Sequence, residues 1–256
     1  MNGSVAIDST SLLIASSLVL VSFYLSYSQK LGLEKETLIS VARAVVQLVI
    51  VGYILEYIFG LKSPLFTTIL LLFMTFNAAY NASKRGKGIK QILIISFGSI
   101  SIGTVVTLSV LVFSRTIAYE PYQVIPVSGM IISNSMVALG VCYKQLLSDF
   151  KSKREEVETK LSMGADILPS SIGIIRDAIK TGMIPTIDSA KTLGVVSLPG
   201  MMTGLILAGI SPIEAIKYQI IVTFMLLSTT SISSYVACYL SYRNFFNSRK
   251  QLMSIK

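Results

Sequence analysis

Arg43, Asp188 and Lys191 are ionisable side chains embedded in long apolar stretches, where a charge is costly unless it faces a cavity or a partner. Each lies three to six residues inside its stretch, within about 9 Å of the same boundary at the rise of an α-helix. Two readings fit them: a charged vestibule or inner gate, or a structural ion pair of Asp188 with Arg43 or Lys191. The stretch that carries Asp188 is also the one most prone to break. Pro199 cannot donate to the carbonyl of Val195, and Gly194, Gly200, Gly204 and Gly209 weaken the helix further, so a kink or break is expected near its middle. Helical spacing sets Asp188, Lys191, Val195 and Met202 on one face, suited to a polar path. Gly200, Gly204 and Ala208 fall on a second face, suited to close helix packing. Met201 or Met202 beside a freed Val195 carbonyl offers a cation a soft donor, against the ordinary role of methionine as filler.

A second constellation is Glu158, Leu161 and Ala165, which share one side of a short charged helix that ends near Gly164. Such a stub either docks a soluble partner or is a solvated face. Glu56, Glu214 and Lys217 form another set near helix ends, where snorkelling to the interface explains them. The chain has no phosphate-binding loop; the nearest sequence, Arg85-Gly86-Lys87-Gly88, lacks the following Ser or Thr. Zinc-hydrolase, nucleophile-elbow and paired-cysteine motifs are absent too, which argues against an enzyme and against a cofactor of the chain's own. Histidine is missing altogether, removing the commonest metal ligand, and no metal-ligand set can be assigned. The two cysteines, Cys142 and Cys238, are expected as reduced thiols near helix ends.

The elements that hold these residues follow from hydropathy. Of 256 residues, 52% are hydrophobic and 14% charged, too few polar groups to coat a water-soluble globule of this size. The mean hydropathy is +0.70. Stretches of about 20 apolar residues, the length that crosses a hydrocarbon core, occur at 11–29, 37–60, 63–83, 91–115, 122–145, 185–209 and 212–242. The expected fold is therefore all-α: a multi-pass membrane protein of about seven spans forming one domain over 1–256. The first eight residues, MNGSVAID, lack a basic leader, so the first span is expected to be retained.

With the N-terminus outside and the C-terminus inside, 17 of the 22 Lys and Arg residues fall on the inner side, as the positive-inside rule requires. Only Lys62 and Arg115 fall outside. The net charge of +9 then marks a cytoplasmic membrane face rather than nucleic-acid binding. Residues 146–184 read as an inner loop of two amphipathic helices broken near Pro169.

The strings GMIPTIDS at 182–189, KTLG at 191–194, SLPGMMTG at 197–204 and AIKYQ at 215–219 resemble the signature of the FetB-type family of ABC permeases. RAVVQL at 43–48 with Gly52 and Tyr53, and the segment 158–165, resemble it as well. That family includes a bacterial iron-export permease and plant aluminium-tolerance half-transporters. The resemblance implies a permease that pairs with itself and with two copies of a separate ATPase, which binds the ATP, and that exports a metal ion, iron being the named case. It implies that Glu158, Leu161, Gly164 and Ala165 couple to the ATPase within loop 146–184. Arg43, Gln47, Asp188, Lys191, Pro199 and Met202 are the residues expected in the pathway or its gate. The rival readings are a secondary transporter or channel that needs no ATPase, a retinal-type receptor with Lys217 as attachment point, and a membrane-embedded enzyme. Lys217 sits too near its helix end, and Trp is absent, for the receptor reading.

Overall fold

The structure is a computed structural model that describes residues 9–61 and 63–253. The MNGSVAID segment, Lys62 and Lys256 lie outside the described residues. The chain divides into two compact units, 1–61 and 62–256.

The first unit is a pair of helices, α1 (Ser9–Ser28) and α2 (Glu34–Leu61), packed on each other. Their turn is closed by Ser26, whose hydroxyl donates to Glu34 Oε1 at 2.9 Å and accepts from the Leu33 amide at 3.3 Å. Gly32, at φ +70°, supplies the left-handed residue the reversal needs.

The second unit contains α3 (Pro64–Arg85), α4 (Ile92–Phe113), α5 (Pro121–Ser152), α6 (Arg154–Ser162), α7 (Ile167–Thr192), α8 (Gly200–Leu207) and α9 (Pro212–Ser241). A 3-10 turn at Tyr242–Phe245 follows. Proline opens α3, α5 and α9, where its missing N–H has no helical acceptor to lose. Helices α3, α5 and α9 run one way and α4 and α7 the other. The 2.8 Å bond between Thr68 and Tyr119 marks one end, and that from Asn244 Nδ2 to the Lys90 carbonyl marks the other.

Helix α5 is the hub and packs against α3, α4, α7 and α9. Its 32 residues rise about 48 Å, well beyond a hydrocarbon core of about 30 Å. Around its C-terminal turns Tyr143, Leu146 and Phe150 bury against Ile174, Ile175 and Phe245. Phe150 stacks on Phe245 with ring centroids 4.1 Å apart. Lys84, Arg85, Lys87, Lys90, Lys151, Arg154, Arg249 and Lys250 gather at this end, and Arg115 lies at the opposite one.

Where α4, α5 and α9 meet, the seam is built from small hydroxyl side chains. Ser135 bonds Thr229 at 3.3 Å and Ser233 at 3.2 Å, and a Cβ at Gly103 would collide with the Ser233 hydroxyl. Small residues let helix backbones approach closely in the absence of a hydrophobic drive between them. Cys142 and Cys238 are free and buried in the adjoining core.

Five described helices are long and apolar enough to cross a membrane: Glu34–Gly60, Pro64–Arg85, Ile92–Phe113, Pro121–Ser152 and Pro212–Phe245. Ile14–Ser28 is a shorter apolar helix that matches the first expected span. The span expected at 185–209 is not one helix. α7 ends at Thr192, residues 193–199 form an irregular link, and α8 has only eight residues. Gly194, at φ +80°, turns the chain out of the helix, and Pro199 becomes the N-cap of α8 instead of an interior kink.

Two further expectations are corrected. Residues 146–184 are not a separate loop, since 146–152 belong to α5 and 167–184 to α7. Their break lies at 163–166, and Pro169 stands in the first turn of α7, where it is tolerated. Pro185, expected to open a span, lies inside α7, whose buried Ser171, Ile174, Ile175, Ala178 and Gly182 hold the helix on α5 and α9 through that point.

Candidate functional site

At the basic end, α6 is a nine-residue stub anchored by Val157, which is 1% exposed. Gly164, at φ +92°, makes the turn into α7, with the Gly164 amide donating to Leu161 and that of Ala165 to Lys160. Asp166 caps α7 by accepting from the Ile167 amide at 2.8 Å. Glu158 is held by Arg154 at 2.7 Å, one turn away on α6. All four residues expected to meet a partner, Glu158, Leu161, Gly164 and Ala165, line a single cleft of about 740 Å³.

The opposite wall of that cleft is the tail after α9, through Arg249, Lys250, Gln251 and Leu252. Arg154 donates to the Leu252 carbonyl at 3.3 Å and the Met253 carbonyl at 3.5 Å, and Lys250 pairs with Asp166 at 2.8 Å. The Lys250 ammonium, then the Ile167 amide, hold the Asp166 carboxyl below its ordinary range. Leu252 is buried beside Phe246 and pins the strap. Sequence reasoning missed this strap as part of the site. The signal available was the apolar pair Phe245 and Phe246 followed by a lone Leu252 after a polar turn.

A second site lies at the break between α7 and α8. Met130 and Asn134 of α5, Thr186, Ser189 and Ala190 of α7, Leu193, Ser197 and Pro199 of the link, Gly200 and Met201 of α8, and Gln219, Val222, Thr223 and Leu226 of α9 line a half-open, largely apolar cavity of about 320 Å³. Of the expected pathway residues, Pro199 lines it. Met202 is buried and stands outside the lining, and Met201 takes the place expected of it.

Asp188 and Lys191 pair with each other at 3.0 Å and face another groove, with Arg176, Lys180, Tyr235 and Tyr239. The single face expected for Asp188, Lys191, Val195 and Met202 does not exist, because Val195 lies in the link and Met202 beyond it. Gly200 and Gly204 have nothing within 4 Å of where a Cβ would stand, and Ala208 caps α8, so this stripe meets no neighbour within the described chain. Arg43 and Gln47 stand one turn apart on α2 of the first unit, both exposed. Among the described residues no three His, Cys, Asp or Glu side chains come together in a way that could hold a metal.

Five described helices of membrane length and hydropathy mark an integral membrane protein. The chain belongs to the family described as "Uncharacterised protein family (UPF0014)", whose profile matches residues 9–246. It is 53% identical over 247 residues to the "Probable iron export permease protein FetB" of Escherichia coli (strain K12), spanning 96% of this chain and 95% of that one. It is 40% identical to the "UPF0014 membrane protein STAR2" of Oryza sativa subsp. japonica, over 93% of this chain and 84% of the relative. It is 37% identical to the "Protein ALUMINUM SENSITIVE 3" of Arabidopsis thaliana, over 92% and 86%. The family resemblance carried by the 182–204 block is thus borne out. No solved structure matches the chain.

Proposed function

We propose that this chain is the membrane-spanning subunit of an exporter driven by a separate ABC-type ATPase, and that its cargo is a metal ion, iron by analogy with the E. coli relative. The observation that carries the reading is the convergence of Glu158, Leu161, Gly164 and Ala165 on one cleft at the basic end. The ATPase docks there, on the inner face of the membrane, with the N-terminus outside. Two copies of the chain and two of the ATPase make the working assembly, and the open Gly200, Gly204 and Ala208 stripe on α8 is available to pack against a second copy.

The mechanical route is short. Closure of the ATPase pushes on α6, and the push travels through the Gly164 turn into α7. This single helix of 26 residues rises about 39 Å and ends at the broken segment 193–199. A rigid lever ending at a hinge moves the hinge, and with it the walls of the cavity. Asp188 and Lys191, on the last turns of α7, move with the lever and gate the path.

The test is co-expression with candidate soluble ABC ATPases, co-purification, and metal-stimulated ATP hydrolysis in liposomes. The expected result is a complex whose hydrolysis rises with metal. Full transport by the isolated chain with no ATPase overturns the reading in favour of a secondary transporter or channel.

A further inference from the structure

Gln219 carries an acceptor without a donor. Its Oε1 is buried and has no hydrogen-bond partner, in a region where an unmet amide oxygen is costly. The residue lines the cavity at the α7–α8 break. Asn134, across the cavity on α5, spends its Nδ2 on the Met130 carbonyl at 2.9 Å, which leaves its oxygen as the group on offer. Ser189, Ser197 and Thr223 add hydroxyls, and Met130 and Met201 add thioethers.

The break adds backbone oxygen. The Gly194 amide donates to the Ser197 carbonyl, so the carbonyl of Ala190, a residue that lines the cavity, loses the amide a continuing helix would have given it. Discontinuous helices near the middle of a membrane supply ion ligands in this way. Every side chain that lines this cavity is uncharged; the nearby acids are already engaged, Asp188 with Lys191 at 3.0 Å and Glu214 with Lys217 at 2.7 Å.

We infer that this cavity is the resting site of the cargo, and that it holds a partly hydrated divalent transition-metal ion through neutral oxygen and sulfur donors alone, with Gln219 Oε1 as the principal protein ligand. The inference deepens the proposed function and rests on it only for the identity of the cargo. Amide and carbonyl oxygens with thioether sulfur form a donor set of intermediate hardness, which suits a first-row divalent ion. The volume of about 320 Å³ exceeds that of an ion with six waters, about 180 Å³ at about 30 Å³ per water. The cavity therefore admits the ion with water still bound, and Gln219 Oε1 and its neighbours exchange for part of that shell. With no carboxylate to neutralise it, the ion is held weakly enough to leave, as conduction through any binding site requires.

The experiment is equilibrium binding of ferrous ion, under anaerobic conditions, to the purified full-length permease, its Gln219→Glu variant and its Gln219→Leu variant. It needs no ATPase, so it separates this inference from the wider one. The isosteric Gln219→Glu change puts a charge on the vacant acceptor and is expected to tighten binding about tenfold or more. Gln219→Leu is expected to weaken it by a similar factor. In liposomes with the ATPase, Gln219→Glu should show a lower KM and a lower maximal rate, because a tighter site releases more slowly. Should the leucine variant fail to fold, Ser197→Ala, in the exposed link, is expected to weaken binding severalfold. Equal affinity across these variants, or no ferrous binding by wild type and Gln219→Glu alike, overturns the inference. A failure to find an ATPase partner overturns the wider reading alone.

Discussion

Gly182 on α7 faces α5 so closely that a Cβ built there would collide with Cys142 Sγ and stand 3.1 Å from the Ala138 carbonyl oxygen. The second neighbour is backbone and cannot swing aside, so Gly182→Ala must push α7 off α5. Over-packing of this kind costs about 1–3 kcal/mol. Against it stands the helix propensity gained on replacing glycine by alanine, about 1 kcal/mol.

Gly173, nine residues earlier on the same helix, has nothing within 4 Å of its Cβ position and carries the propensity gain without the clash. The difference between Gly182→Ala and Gly173→Ala therefore isolates the packing penalty. For a unit of this size it corresponds to a melting temperature about 2–12 °C lower for Gly182→Ala, read as thermal unfolding in detergent. Adding Cys142→Ala removes one of the two obstacles and should restore part of the loss. Equal melting temperatures for the two glycine variants, or no recovery with Cys142→Ala, would refute the close approach of α7 to α5 and with it the rigid-lever account.

The remaining expectations concern the basic end and the gate. The Asp166 carboxyl is held low by Lys250, so its contribution to anchoring the tail is present above the ordinary carboxylate value of about 4 and is lost as pH falls through the lowered one. Protease protection of residues 246–253 should be flat at neutral pH and fall only in strong acid, and Asp166→Asn should remove that dependence. Gly164→Val forces a branched residue into φ +92°, a strain of about 1–2 kcal/mol. It should uncouple ATP hydrolysis from transport while membrane insertion, followed by fractionation, is unchanged. Asp188→Asn removes an exposed pair worth at most about 0.5 kcal/mol. It should leave the melting temperature within error while transport falls; an equal loss of both would mean the pair is structural.

Five of the expected spans were legible because a bilayer demands length and hydropathy from each helix separately, and both can be counted from 37–60 or 212–242 without knowing any neighbour. The break near Pro199 was legible for a similar reason, since a missing donor and several glycines are local facts; the left-handed turn at Gly194 appeared only in the structure. The run of α7 through Pro185 was not. That helix survives its proline because α5 and α9 clamp Ile174, Ala178 and Gly182, and no residue within α7 announces what presses on it. The α6 cleft was half legible: a glycine after a charged helix marked the turn, but the facing wall uses main-chain carbonyls of Leu252 and Met253, which carry no residue signature. Gln219 appeared in the sequence only as part of a familiar string. Its role depends on an oxygen left unmet after folding, which spacing cannot reveal.

The hydroxyl seam among α4, α5 and α9 has a consequence for how the protein is made. Some hydroxyls on these helices own a fallback: Ser96 returns a bond to Ile92, Ser99 to Ile95, Thr230 to Leu226 and Ser231 to Leu227, each to a carbonyl of its own helix, whereas Ser135, Thr229 and Ser233 bond one another across the seam. The first group enters lipid with its hydroxyls already met, before any companion helix is present. The second group finds its acceptors only when α5 meets α9, so lipid, which offers those hydroxyls nothing, itself favours that meeting.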